Sequence, residues 1–435
     1  MEARGRESPG KDGTTPAASQ IDAEAAPTAA VLPITEAAPI SPPSQEAMVV
    51  VIVAAVSFCH CLNDLIQALL PAIYPILKES YGLDFGQIGL ITLVFQVSAS
   101  LLQPVVGLYT DRKPQPYSLV LGMGFSLAGL LLLAHAASYG LILLAGALIG
   151  VGSSIFHPES SRIARAASGG RHGLSQSVFQ VGGNFGQAIG PLLAAFIIVG
   201  PNGQGRVAWF ALVALIGMVV LGFVGRWYAA RLKAAGEAKP SRPTHTISRA
   251  RIWFAVGLLV LLVFSKNFYT ASFTSYYTFY LIDRFRISVQ ESQVYLFVAM
   301  AAIAAGVVFG GPIGDRIGRK PVILWSVLGV LPLTLLLPHL NLFWTVFMTI
   351  PIGLVMASSL SAILVYALEL VPNRVGLVAG LFFGLSFGMG GLGAAALGEL
   401  ADRTSIDFVY RVCAWLPLIG AVALLLPDTR AGVRR

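Results

Sequence analysis

Charge is scarce in this chain. Asp, Glu, Lys and Arg make up 11% of its 435 residues, against about 25% in soluble globular domains. Apolar residues make up 56%, and the mean hydropathy is +0.75. A soluble globular fold is therefore excluded, and the chain reads as an all-α membrane protein. Cysteine is scarce as well. There are three, with Cys413 remote and Cys59 and Cys61 on different sides of one helix, so a disulfide framework is excluded. The triplet Cys59-His60-Cys61 does not converge on one ion, because neighbouring helical residues point apart. No metal or cofactor is expected. No nucleophile motif or cofactor fingerprint is present, which argues against an enzyme.

Acidic residues are outnumbered, 21 Asp and Glu against 29 Lys and Arg. The excess sits in short loops between apolar runs. That is the positive-inside pattern of a lipid bilayer partner and not a nucleic-acid surface. Residues 1–47 lack an apolar core and are rich in Ala, Pro, Ser, Thr and Glu. They read as a disordered tail and not as a signal peptide.

Twelve apolar segments follow, at about 48–78, 86–108, 117–136, 139–160, 173–199 and 207–229, then 251–282, 291–313, 321–338, 341–368, 376–398 and 406–427. A basic linker at 230–250 separates a bundle at 48–229 from one at 251–428, and 429–435 is a short tail. At ~1.5 Å per residue the first segment exceeds the ~30 Å hydrocarbon core, so it should tilt or kink at Pro71 or Pro75. An even count returns both termini to one face. That face, with the even-to-odd loops, carries 22 of the 29 Lys and Arg, the other face 6, and Lys266 stays within the membrane. The basic face is cytoplasmic.

The first segment carries a polar stripe. His60, Asn63, Asp64 and Gln67 fall at i, i+3, i+4 and i+7 and share one helix face. A carboxylate at bilayer depth costs roughly 2.5–3.5 kcal/mol, so it must face protein or a watery path. Asp64, with His60, is the candidate proton site, and Asn63 and Gln67 are candidate substrate contacts. A second stripe, Gln176, Gln180, Asn184 and Gln187, lies on the fifth segment, and its amides suit a polar ligand. On the seventh, Lys266, Tyr269, Thr270, Phe273 and Tyr277 share a face, with Tyr276 beside them. Lysine among hydroxylated aromatics suits an anion. The fourth segment ends in His157-Pro158-Glu159, where Pro158 should break or bend the helix. Glu159 is a candidate in coupling and can pair with Arg162 at i+3, itself a candidate substrate contact.

The halves echo each other. Gly107-x-x-x-Asp111-Arg112 recurs 204 residues later as Gly311-x-x-x-Asp315-Arg316. This is a parallel repeat, with substrate expected between the halves near mid-membrane. The same offset places Lys266 beside the counterpart of Asn63, so Asp64 is expected to look toward Lys266. Glycines at four-residue spacing (Gly182, Gly186, Gly190; Gly306, Gly310, Gly314; Gly376, Gly380, Gly384, Gly388) should let helices approach closely.

The loop Gly311-x-x-x-Asp315-Arg316-x-Gly318-Arg319-Lys320 resembles the signature loop of the major facilitator superfamily. The resemblance implies two pseudo-symmetric six-helix bundles. In that reading the loop and its first copy, Gly107, Asp111 and Arg112, form a conformational latch. The first copy departs from the pattern after Arg112, where Lys113-Pro114-Gln115-Pro116 stands, so its latch should be weaker.

Longer runs, Ile155-Phe-His-Pro-Glu159, Gln176-Ser-Val-Phe-Gln-Val-Gly-Gly-Asn184, Ser275-Tyr-Tyr-Thr-Phe-Tyr-Leu281, Ser361-Ala-Ile-Leu-Val-Tyr-Ala367 and Gly380-Leu-Phe-Phe-Gly384, resemble the fosmidomycin-resistance proteins of bacteria. That resemblance spans about 48 to 430. It implies a monomeric, multi-pass exporter of the bacterial inner membrane with both termini cytoplasmic. The implied activity is efflux of a small anionic phosphonate antibiotic in exchange for protons. Proton-coupled uptake of an anionic metabolite is the alternative.

Overall fold

The computed structural model describes residues 48–169, 171–201, 203–234, 249–359, 362–363, 366–367 and 375–426. The N-terminal tail at 1–47, the central part of the linker at 235–248 and the final tail at 429–435 lie outside the described residues.

Every described element is helical. In order they are α1 (Val50–Ala72), α2 (Tyr74–Tyr81), α3 (Phe85–Arg112), α4 (Ser118–His135), α5 (Tyr139–Ala166), α6 (His172–Leu193), α7 (Ala211–Ala234), α8 (Arg249–Ala271), α9 (Tyr277–Phe285), α10 (Val289–Ile317), α11 (Arg319–Leu328), α12 (Leu331–Leu336), α13 (Leu342–Ala357), α14 (Val375–Arg403) and α15 (Ile406–Cys413). In lipid the backbone must bond to itself, which a helix does. Among the described residues, ten stretches are long and apolar enough to cross a membrane, from Val50–Tyr81 to Ile406–Leu425. The tenth and eleventh expected places hold α13, with 16 residues, and α14, with 29. The all-α membrane class is observed, and length and composition support ten of the twelve expected crossings.

Local chemistry sets the ends. Asp84 caps α3, accepting from the Gln87 amide at 2.6 Å while Gln87 accepts from the Asp84 amide at 3.0 Å. Asn341 and Ser405 cap α13 and α15 in the same way, with one bond each. The first segment breaks as expected, with Ile73 separating α1 from α2 between Pro71 and Pro75. Pro158 does not break its helix, because α5 continues to Ala166. Flanking hydroxyls donate back along α5, Ser154 to the Val151 carbonyl and Ser160 to that of Phe156. Such partners let membrane helices tolerate proline. Helix α7 runs to Ala234 and α8 starts at Arg249, each inside the expected 230–250 linker.

Two helices contain a wide π-helical turn, Ala194–Ile198 after α6 and Ser272–Tyr276 between α8 and α9. A π turn inserts a residue into the helical repeat and rotates everything beyond it.

The glycine ridges of the first half meet their purpose. A Cβ on Gly182 would lie 2.0 Å from the Ser57 carbonyl oxygen, and one on Gly186 2.1 Å from that of Cys61, so α6 presses directly on α1. Gly306 and Gly310 do the same between α10 and the chain at Leu354 and Ser358, with 2.4 and 2.0 Å. On α14 the contacts of Gly376 and Gly380 lie outside the described residues, and the rest of the ridge departs from expectation. Gly384 and Gly388 have only ordinary contacts, at 3.8 and 3.7 Å to Ser100. The close approach falls instead at Gly398, where a Cβ would lie 2.3 Å from the Phe85 carbonyl oxygen. Helices α3 and α14 therefore touch tightly at one end and draw apart toward the other.

The tight end is also bonded. The Phe85 and Gly86 amides donate to the two Asp402 carboxylate oxygens at 2.9 and 2.6 Å. A carboxylate on α14 thus caps the N-terminus of α3, joining residues from opposite halves of the chain. The Tyr276 hydroxyl lies 2.6 Å from the Ala394 carbonyl oxygen and 3.3 Å from that of Phe85, bracing the same end.

Candidate functional site

Between the halves lies a cavity of about 800 Å³, within the ~300–1,000 Å³ range of small-molecule sites. It runs from Tyr74 and Thr92, near the Asp402 end, past mid-helix to Gly107, Leu108 and Arg162 at the opposite end. Its wall is mostly apolar, with polar groups from α1, α5, α6 and α8 facing inward.

On the first-half wall the centre is Asp64, which is 3% exposed. Three amides donate to it: Asn63 and Gln67 to Oδ1, each at 3.2 Å, and Gln187 to Oδ2 at 3.0 Å. His60 Nε2 lies 3.4 Å from Oδ2, and His157 Nε2 lies 3.7 Å from Oδ1. His60 is oriented from behind. Its Nδ1 is 2.8 Å from the Phe179 carbonyl oxygen, and its ring stacks on Phe179 with centroids 4.0 Å apart. A carbonyl only accepts, so Nδ1 carries the hydrogen. Gly183 makes room, since a Cβ there would fall 2.4 Å from the ring.

His157 was not singled out in the sequence. The signal existed in a third stripe, Ser153, His157 and Ser161 at i, i+4 and i+8 on α5. Each meets the first-half polar network: Ser153 donates to Gln67 at 3.1 Å, His157 faces Asp64, and Ser161 donates to Gln176 at 3.1 Å.

On the second-half wall stands Lys266, buried at 6% exposure. Its ammonium donates to the Met356 carbonyl oxygen and to the Ser359 hydroxyl. It makes no ion pair with Asp64, contrary to the expectation that the two face each other. The cavity lies between them, and each is held by groups of its own half.

Of the expected substrate contacts, Lys266, Gln67, Gln180, Asn184, Tyr269 and Arg162 line the cavity, as do His60 and Asp64. Asn63 is fully buried behind Asp64. Tyr276 and Tyr277 are turned away from the cavity. The π turn at Ser272–Tyr276 is the reason: the face that starts with Lys266 and Tyr269 continues through Thr274 and Ser275 instead. Asn267, the counterpart of Asn63, also lines the cavity.

Glu159 lies outside the cavity, fully buried. It accepts from Thr110 at 2.6 Å and Ser118 at 3.3 Å, and its carboxylate is 3.3 Å from Arg162. Arg162 also reaches the Gly107 carbonyl oxygen at 3.4 Å. Glu159 thus ties α3, α4 and α5 together beside the first signature loop. In the second loop Gly318 adopts φ 105°, a conformation suited to glycine, between α10 and α11. Lys320 donates to the Leu424 carbonyl oxygen at 3.0 Å, and Arg316 is exposed. The side chains of Asp111, Arg112 and Asp315 lie outside the described residues.

The chain matches the Major Facilitator Superfamily over residues 56–394 and 281–435. It is 57% identical over 379 residues to the fosmidomycin resistance protein of Escherichia coli (strain K12), covering 87% of this chain and 93% of that protein. The chain belongs to the major facilitator superfamily and, within it, to the family of the fosmidomycin resistance protein. It is also 41% identical over 381 residues to the MFS-type transporter YfnC of Bacillus subtilis (strain 168), covering 87% and 93% of the two chains. Among solved structures, the fold is similar to a bacterial homologue of the human lysosomal transporter Spinster in an inward-facing, occupied conformation. The TM-score is 0.67 at 15% identity, covering 86% of this chain and 94% of that one. As a member of this superfamily the chain is a multi-pass membrane transporter and not an enzyme.

Proposed function

We propose that this transporter exports a small phosphonate anion such as fosmidomycin in exchange for protons, by alternating access. The observation that carries the reading is one cavity with a buried carboxylate on one wall and a buried lysine on the other. In this scheme Lys266 receives the anionic end of the cargo, and Asp64 with His60 carries the coupled proton. The resistance named for the E. coli relative supports the cargo class. The positive-inside bias supports an inner-membrane setting with both termini cytoplasmic. The cavity then opens inward at the Gly107 end and is sealed outward at Asp402.

The sign of coupling follows from who competes with whom. If Asp64 neutralised Lys266, protonation would free the lysine for the anion, and proton and anion would bind together, as in symport. The pair is absent among the described contacts, which removes that linkage. A cargo hydroxyl donating to ionised Asp64 while its phosphonate meets Lys266 would instead compete with the proton. An anion leaving and a proton entering both run downhill in a cell negative inside, by about 2.3 kcal/mol per charge at 100 mV.

The test is transport in proteoliposomes with an imposed pH gradient, comparing phosphonate anions with lipophilic cations. Anion movement against the proton flux is the expected result. Anion movement with the proton flux would replace export by uptake. Cysteines placed at Lys113 and Asp402 should label from opposite sides, Lys113 from the cytoplasm.

A further inference from the structure

His60, Asp64 and His157 bring three ligand atoms within 4.8 Å of one another. Four observations bear on what they hold. His60 and His157 both present an Nε2 that is buried and has no hydrogen-bond partner. His60 Nε2 lies 3.4 Å from Oδ2 and His157 Nε2 3.7 Å from Oδ1, so the two imidazoles approach the two oxygens of one carboxylate. The His60 ring is fixed from its far side by Nδ1–H to a backbone carbonyl, which leaves the Nε2 lone pair for an ion. Asp64 is itself steadied by the Gln67 and Gln187 amides.

A neutral His157 can turn an Nε2–H toward Asp64 Oδ1, but 3.7 Å is too long for a hydrogen bond, and the buried nitrogen stays without a partner. A single divalent ion satisfies all three atoms. Two imidazoles and one carboxylate suit a first-row transition ion such as Zn²⁺, Ni²⁺ or Co²⁺ better than Mg²⁺ or Ca²⁺, which favour oxygen.

We propose that His60, Asp64 and His157 form a divalent transition-metal site whose open positions face the cavity. The ligands come from α1 and α5, so the ion sits within one half and not between halves. Its open positions take anionic oxygens of the cargo, a detail that rests on the proposed function. A bound ion also blocks the lone pairs a proton would take, so an ion-bound cargo and a proton exclude each other.

The probe is Co²⁺ alone, titrated into the full-length, tag-free, chelator-stripped protein in detergent and followed by calorimetry and visible absorption. One ion per chain is expected, with a visible spectrum of nitrogen and oxygen ligation. His157→Asn and His60→Ala should each weaken binding at least tenfold, whereas the exposed-site control His135→Ala should bind as wild type does. His157→Asn keeps a polar side chain of similar size, and its folding is checked by a wild-type elution profile. No saturable Co²⁺ uptake by the wild type would overturn the proposal. So would unchanged affinity in a folded His157→Asn variant. The reading is independent of transport: anion export without added metal would leave a positive titration intact, and failed proton-driven export would not rescue a negative one.

Discussion

Asp64 and Lys266 sit on opposite walls of one cavity, and their surroundings differ in kind. Asp64 is met by side chains: three amides and two imidazoles that could rearrange or change protonation. Lys266 is met by a backbone carbonyl and one hydroxyl, groups that keep one state. In the proposed scheme the first wall takes up and releases the proton, and the second receives the anion. A buried charge without a counter-charge is costly, and the two halves meet that cost separately.

Breaking each wall should give different losses. Asp64→Asn should abolish pH-driven accumulation while substrate counterflow persists, because exchange needs no net proton movement. Lys266→Ala should weaken phosphonate binding about 10- to 100-fold, from the about 1.5–3 kcal/mol of a hydrogen bond to a charged group. Neutral analogues should bind almost unchanged. Equilibrium binding and pH-jump flux at matched expression read both. If Asp64→Asn still concentrates substrate under a pH gradient alone, the proton site lies elsewhere.

Packing within a half and contact between the halves also differ. Gly186→Ala pushes a methyl into the Cys61 carbonyl and should cost about 1–3 kcal/mol, seen as a lower melting temperature in detergent. At the interface of the halves, Asp402→Asn should act more mildly. It weakens a carboxylate at a helix N-terminus, worth about 0.3–1 kcal/mol, and should raise alkylation of a cysteine at Thr92 from the Asp402 side up to about fivefold. An unchanged alkylation rate would mean that Tyr276 and the packed glycines alone keep that end shut. The smallest effect belongs to the pair of walls. Because Asp64 and Lys266 do not touch, Asp64→Asn and Lys266→Ala should add within about 0.5 kcal/mol for substrate binding. A larger coupling in the double-mutant cycle would show that the cavity closes until they meet.

Much of this was legible in the residues. The stripe from His60 to Gln67 announced a helix face that could not touch lipid, and Asp64 stands where that face meets the cavity. The amide stripe from Gln176 to Gln187 reached the cavity along its whole length, because α6 stays regular until Pro191. What escaped depended on geometry that periodicity does not encode. The π turn after Ala271 shifts the phase of the seventh segment, so Tyr277 lost its place and Ser275 gained one. Ser359 and the Met356 carbonyl, the partners of Lys266, come from another helix, and a backbone group has no signature. His157 was hidden by its neighbours, since Pro158 and Glu159 drew attention to a helix end that does not exist. Asp402 falls between the eleventh and twelfth apolar segments, and only the fold brings it to the start of α3.

Gly384 and Gly388 are small residues at positions where nothing presses on them. On α6 the glycines are occupied sockets, and on this stretch of α14 they are shallow ones, where a methyl would only rest against Ser100 of α3. A zipper fastened at Gly398 and open at Gly388 has teeth in reserve. In alternating access the halves must close at the Gly107 end when they part at Asp402, and α3 would then need a smooth surface to land on. A methyl at Gly388 would therefore cost little in the arrangement described here and much in the opposite one. It would act as a wedge that favours one state, a form of damage to transport that measurements of stability or of binding from the open end would not reveal.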